Sequence, residues 1–426
     1  MFVRGCPRSG TTLLADVLNE DPRIALMVEY PIGRLVGDLL PIFAYEKHIA
    51  NKFQIPFAGQ TPSAAHERFF DPLANGPHLK FPSRYPTLQR LPAIVKGVLE
   101  AAFEKSEISI MGSKTPGRWI GTDFEMVKTI FGSPKIVFVV RNPRDTVNSI
   151  LNRRNLTRAG RDNWQYETAG EAIDAYHEAT AQLMSCASEM PDHTFVVGYE
   201  DLLADPSDTL RRLGEFLEVD LRDRSGLIKQ SNRGKSILTA DEERSVDEAF
   251  GDALRTWDQK RFTGDGVRAA AMLGDCLMRP VDGFRYRFDA SSAPRGFFGA
   301  GWSEATSDGM WSDGEVADIW ASIPAGRYEL LIELAGFVPT PQSPPVRCAM
   351  SIGERVAATL TFENMKLLEL DFTAVELPHD GAARLSFRFE KLAEAHERGG
   401  RADDARHLGI CARSFRISRV SEAGAR

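Results

Sequence analysis

Near the start of the chain stands Gly5-Cys-Pro-Arg-Ser-Gly-Thr-Thr12, two glycines enclosing one guanidinium and followed by two hydroxyls. Side chains of these types suit the holding of an oxyanion. Apolar Met1-Phe-Val3 precedes the run, and Leu13, Leu14, Val17 and Leu18 follow it at helical spacing, with Asp21-Pro22 as a stop. The stretch therefore reads as a strand, a turn and a helix start. The first amides of a helix have no internal acceptor and lie at the positive end of its dipole, so such a turn cradles a phosphate-sized anion. Arg8, Thr11 and Thr12 add side-chain donors to the amides of Ser9 and Gly10.

Gly5 and Gly10 have the spacing of a Walker A loop, but Thr11 stands where the phosphate-binding lysine belongs. A nucleotide kinase relies on that lysine and on a loop-held metal, so the departure counts against one; here Arg8 supplies the cation. A second passage, Arg141-Asn-Pro-Arg-Asp-Thr-Val-Asn-Ser149, follows the continuous apolar run Lys135-Ile-Val-Phe-Val-Val140, which suits a parallel strand buried on both faces. Pro143 suits the first turn of a helix. Arg141 then stands at the carboxyl end of a strand and Ser149 about two turns down the next helix. That edge of an open α/β sheet is where ligands bind.

In wording and order the two passages resemble sulfotransferases that use 3′-phosphoadenosine 5′-phosphosulfate (PAPS), closest to the protein-tyrosine and glycan branch. The resemblance implies that Arg8, Ser9, Gly10, Thr11 and Thr12 hold the 5′-phosphosulfate, and that Arg141 and Ser149 hold the 3′-phosphate. It singles out Glu29, twenty-one residues beyond Arg8, as the base, and Lys114, in Gly112-Ser-Lys-Thr-Pro116 after a short strand at Ile108-Ser-Ile-Met111, as a stabiliser of transition-state charge. Three weaker candidates for nucleotide contact are Tyr199, in Thr194-Phe-Val-Val-Gly-Tyr-Glu-Asp, and Arg233 and Lys235, in the basic loop Asn232-Arg-Gly-Lys-Ser236 where relatives carry a lid cation. His48, His66 and His78 stay open as bases should Glu29 not serve. A sulfonyl group carries less charge than a phosphoryl group, so PAPS is expected to be used as co-substrate without a metal.

The elements that position these residues divide the chain. Its 426 residues suit two domains. Residues 1–288 are expected to form an α/β catalytic domain with a P-loop-like parallel sheet flanked by helices, including helices near 146–156 and 169–190. Residues 289–297 read as a linker. Residues 298–426 are expected to form an all-β sandwich or jelly roll, from seven strand-like runs beginning at Val316, Arg327, Val346, Arg355, Lys366, Arg384 and Ile410. Glu390 to Arg406 reads as a polar loop or short helix. Trp302 and Trp311 suit stacking on sugars or, more commonly, packing inside a sandwich.

Hydrophobic content of 43% and charged content of 26% describe a globular protein. The net charge of −7 argues against a nucleic-acid partner, so any anion site is local. Five widely spaced cysteines read as reduced. With no leader-like start and no apolar run of about eighteen residues, no membrane span is expected and the location reads as cytoplasmic. The expected activity is sulfonate transfer to a hydroxyl-bearing acceptor, with a carbohydrate favoured by the β-domain. A peptide tyrosine, a small molecule, a nucleotide kinase and a non-catalytic nucleotide- and glycan-binding protein remain alternatives. Oligomeric state is left open.

Overall fold

The computed structural model describes residues 1–28, 91–115, 134–158, 166–228, 236–290, 294–390, 392 and 408–420. Its first half is an α/β unit. Strands β1 (Phe2–Gly5), β2 (Ile24–Val28), β3 (Ile110–Lys114), β4 (Ile136–Val140) and β5 (Thr194–Gly198) run parallel, with the short β6 (Gly264–Asp265) antiparallel at one edge, in the order β2-β3-β1-β4-β5-β6. β4 and β5 are buried at every position, as strands covered by helices on both faces must be. Helices α1 (Thr11–Asn19), α2 (Leu91–Phe103), α3 (Pro143–Arg158), α4 (Ala169–Glu189), α5 (Tyr199–Ala204), α6 (Pro206–Leu217), α7 (Ala240–Thr256) and α8 (Gly266–Met272) accompany the sheet.

Local chemistry fixes the helix starts. At α4 the Thr168 hydroxyl accepts from the Glu171 amide at 3.2 Å while the Glu171 carboxylate accepts from the Thr168 amide at 2.9 Å, a reciprocal capping box. Asp205 caps α6 through the Asp208 amide, with Pro206 at the first helical position.

The second half is a sandwich of antiparallel sheets. β10 (Val316–Ile323), β15 (Gly381–Phe389), β12 (Val346–Ile352) and β13 (Arg355–Phe362) form one, in that order. The other is ordered β14 (Leu367–Leu377), β11 (Gly326–Gly336), β16 (Ile410–Arg419), β9 (Gly309–Ser312) and β8 (Trp302–Thr306). β7 (Arg285–Arg287) also pairs with β16, so the chain enters this sheet at Arg285. Each of the seven strand-like runs read from the sequence lies on an observed strand; the short β8 and β9 were not foreseen. Trp302 is fully buried, its indole donating to the Asp318 carbonyl at 2.8 Å, and Trp311 packs edge-on to Phe337, so both Trp serve the core. The segment from Glu390 to Arg406 lies almost wholly outside the described residues. No helix among the described residues is long and apolar enough to cross a membrane.

The halves meet along α4. The Ser185 hydroxyl accepts from the Trp320 indole at 2.9 Å and from the Ala300 amide at 3.1 Å. Arg384 of β15 binds the buried Asp318 at 2.9 Å and Glu189, the last residue of α4, at 2.5 Å. Burial pushes the Asp318 carboxyl up from its ordinary value, and Arg384 opposes that shift. Removing the guanidinium leaves a buried carboxylate uncompensated, so Arg384→Leu is expected to cost about 3 kcal/mol near neutral pH. Because the folded-state pKa of Asp318 is raised and rises further in the variant, the penalty is full where Asp318 is ionised and shrinks as pH falls and the group protonates. Urea denaturation of both proteins between pH 7 and pH 4 checks the size and the sign.

Candidate functional site

The turn after β1 opens the site. Gly5 has φ of +148° and a Cβ there would lie 2.4 Å from the Val139 carbonyl oxygen; Gly10 has φ of +106° and its Cβ would lie 2.4 Å from the Tyr199 ring. Both positions require glycine, for conformation and for space. Arg8 is itself left-handed, at φ 69°, and its side chain is exposed. Gly10 is the N-cap of α1; no side chain accepts from the helix's first amides and its first turn holds no carboxylate. The Ser9 hydroxyl is buried without a partner among the described residues. A helix start left uncapped in this way is an anion cradle.

The second cluster arrives from the adjacent strand. β4 pairs with β1 in parallel, Gly5 opposite Val139, which brings Arg141 to the mouth of the loop. Its Nη1 donates to the Arg8 carbonyl at 3.2 Å, and the Arg8 Nε donates to the Ser149 hydroxyl at 3.3 Å. The Arg141 guanidinium stands over the Tyr199 ring at 4.5 Å from its centroid, a cation–π contact. The Tyr176 hydroxyl of α4 donates to the Arg141 carbonyl at 2.7 Å. Behind Arg141, a Glu200 oxygen accepts from the Asn142 amide at 2.9 Å, and burial raises the pKa of this carboxyl.

Arg8, Ser9, Gly10, Thr11, Thr12, Arg141, Ser149 and Tyr199 are thus brought together. Tyr199 begins α5 and is 8% exposed, so it packs against the loop glycine and the arginine. Lys114 differs from expectation in its setting: β3 runs to Lys114, which is fully buried and in register with Val3 and Val28, and so ends a strand instead of standing in a turn beyond one. Parallel pairing on both sides extends the strand past the apolar Ile108-Ser-Ile-Met111 stretch. Glu29, His48, His66, His78, Arg233 and Lys235 lie outside the described residues. Sequence reading missed the bracing roles of Tyr176 and Glu200; only Glu200, next to Tyr199, lay beside a residue already in view. Among the described residues no group of three or more His, Cys, Asp or Glu is placed to hold a metal.

A largely parallel sheet with a glycine-framed loop and two arginines at its carboxyl edge defines an α/β protein of phosphate-loop type. A model of the Sulfotransferase family matches residues 1–223, and the chain belongs to that family. It is 25% identical over 271 residues to protein-tyrosine sulfotransferase A of Caenorhabditis elegans, covering 60% of each chain. It is 28% identical over 157 residues to the protein-tyrosine sulfotransferase of Drosophila melanogaster, covering 35% of this chain and 30% of that one. The chain thus spans less than two thirds of the length of these relatives. A crystal structure of sulfotransferase STF9 from Mycobacterium avium is similar at 16% identity and a TM-score of 0.36, over 61% of this chain and 76% of that one.

The contact between Gly10 and Tyr199 generates a prediction. Gly10→Ala is expected to lose about 1–3 kcal/mol through the left-handed backbone and the displaced ring. Tyr199→Ala removes the clash but not the strain, so the double variant should be more stable than the sum of the single changes implies. Urea denaturation of the four proteins measures that coupling.

Proposed function

We propose that the chain is a PAPS-dependent sulfotransferase acting on an acceptor hydroxyl. One observation carries the reading: Arg8 and Arg141, 133 residues apart in sequence, meet at the ends of neighbouring strands, with Ser149 bonded to the first. A planar guanidinium and a hydroxyl suit a phosphate monoester, the feature that separates the 3′-phosphorylated nucleotide from adenosine diphosphate.

In this reading Arg8 and the amides of Ser9 to Thr12 hold the 5′-phosphosulfate, while Arg141 and Ser149 hold the 3′-phosphate. Arg233 and Lys235 close over that phosphate, and Tyr199 keeps Arg141 in place. PAPS supplies the sulfonate. Glu29 takes the proton of the acceptor hydroxyl as its oxygen bonds to sulfur and the bond from sulfur to the phosphate oxygen breaks. Arg8 and Lys114 offset the charge that gathers on the sulfonyl and leaving oxygens, which needs no metal.

For the acceptor we infer a carbohydrate or glycoconjugate hydroxyl. The support is the β-domain, which is bonded to α4, the helix that also holds the Arg141 carbonyl. A peptide tyrosine is the second reading, favoured by the names of the two relatives.

Calorimetric titration with 3′-phosphoadenosine 5′-phosphate and with adenosine diphosphate tests the donor. The wild type is expected to prefer the former, and Arg141→Ala to weaken it roughly ten- to a hundredfold with little effect on the latter, the range of a lost charged hydrogen bond. Equal affinity of the wild type for both would remove the reading. In transfer assays, Glu29→Ala is expected to abolish turnover while nucleotide binding persists; retained turnover would pass the base to His48, His66 or His78.

A further inference from the structure

Consecutive residues of α4 serve different surroundings. Tyr176 bonds the Arg141 carbonyl, whereas His177 lines a cleft of about 590 Å³ bounded by α4, α7, the Leu277–Arg279 segment and Ser322 of β10. That volume is in the range of small-molecule sites.

Two buried polar side chains bordering the cleft keep an atom unused. The His177 ring, on a residue only 4% exposed, places Nδ1 2.8 Å from the Cys276 carbonyl oxygen. A carbonyl only accepts, so Nδ1 carries the proton and Nε2 presents a lone pair. Nothing among the described residues bonds that nitrogen. Burial brings the ring's pKa down to about 4, which keeps it neutral. Ser322, also 4% exposed, spends its amide on the Met278 carbonyl at 3.0 Å, and its hydroxyl has no partner among the described residues.

The walls around these atoms are fixed. The Asp174 carboxylate accepts from the Gly296 and Arg295 amides at 2.7 and 3.1 Å, and Asp252 is held by Arg279 at 3.1 Å. Ile173, Leu277 and Met278 supply an apolar side. Among the described residues the lining carries five carboxylates against two guanidiniums, which disfavours anions and favours hydroxyl or ammonium donors. A small apolar face with fixed acceptors and an idle hydroxyl matches the two-sided character of a sugar ring.

We propose that this cleft, built by both halves of the chain, binds a neutral or amino-bearing sugar unit of the acceptor, with His177 Nε2 accepting from a ring hydroxyl and Ser322 bonding a second. The proposal rests on the carbohydrate reading of the acceptor. A unit held here carries neither sulfate nor uronate.

The test is ligand-observed NMR titration of the full chain with three probes: the β-1,4-linked glucosamine disaccharide, cellobiose and a glucuronate-containing disaccharide. The first two are expected to bind and the third not to. Ser322→Ala, which removes a hydroxyl without a partner, should weaken binding about fivefold, the loss of one hydrogen bond. Gly251 also lines the cleft, and a Cβ there meets nothing nearer than Arg255 Nη1 at 3.7 Å, so Gly251→Leu should fold normally and block binding. Thermal melting verifies the fold of both variants. Absence of binding by the glucosamine disaccharide and cellobiose, preference for the glucuronate probe, or binding unchanged in Gly251→Leu overturns the proposal. Nucleotide titration of the same samples separates this failure from failure of the donor reading.

Discussion

The cation of Arg141 rests on the face of the Tyr199 ring, and the proposed anion site depends on that contact. Tyr199 can come this close only because Gly10 lacks a Cβ, and Gly10 can start α1 only because glycine tolerates its positive φ. The same guanidinium reaches the Arg8 carbonyl and so ties the end of β4 to the loop after β1. Loop, strand end and α5 therefore set one another's position. Such mutual constraint would hold the proposed anion site in place before a ligand arrives, and what is ordered beforehand need not be ordered on binding.

α4 extends this arrangement across the molecule. Near its middle Tyr176 holds the Arg141 carbonyl; further along, Ser185 takes the Trp320 indole, and at its end Glu189 takes Arg384 and Arg388. A helix of 21 residues spans about 30 Å, enough to put the carboxyl edge of the parallel strands and the β-domain on one rigid rod. Trp320 even joins the hydrophobic core of the α/β half. The β-domain is thus packed into the first half, and a displacement of one would be felt by the other through α4.

How much of this was legible in the sequence follows from the range of the interactions. The loop, β4 and Arg141 were readable because their constraints are local: a glycine at each end of the turn, a continuous apolar run for a doubly covered strand, a proline at a helix start. The sandwich strands were readable from alternation, and β14, with its alternating exposure, shows why. β8 and β9 were not, being four or five residues long and held by pairing with each other and with β16. The burial of Lys114 was also hidden, since its strand is prolonged by neighbours on both sides. Least readable of all were Tyr176, which meets Arg141 across 35 residues, and the cleft, which joins residue 177 to residue 322.

A chain of net charge −7 must keep a positive site by local means. Arg141 bonds the Arg8 carbonyl and stands over the Tyr199 ring, and Arg8 bonds the Ser149 hydroxyl. Glu200 accepts from the Asn142 amide, and burial raises its pKa against the opposing charge of Arg141. The carbonyl and the ring help to position the Arg141 cation without cancelling its charge. Arg141 Nε and Ser9 Oγ even remain buried without a partner among the described residues, capacity that a folded protein ordinarily uses up. A fully paired loop would be more stable alone and would attract nothing. Buried polar capacity left unused in this way costs a little stability, and it suits the anion site proposed for this edge.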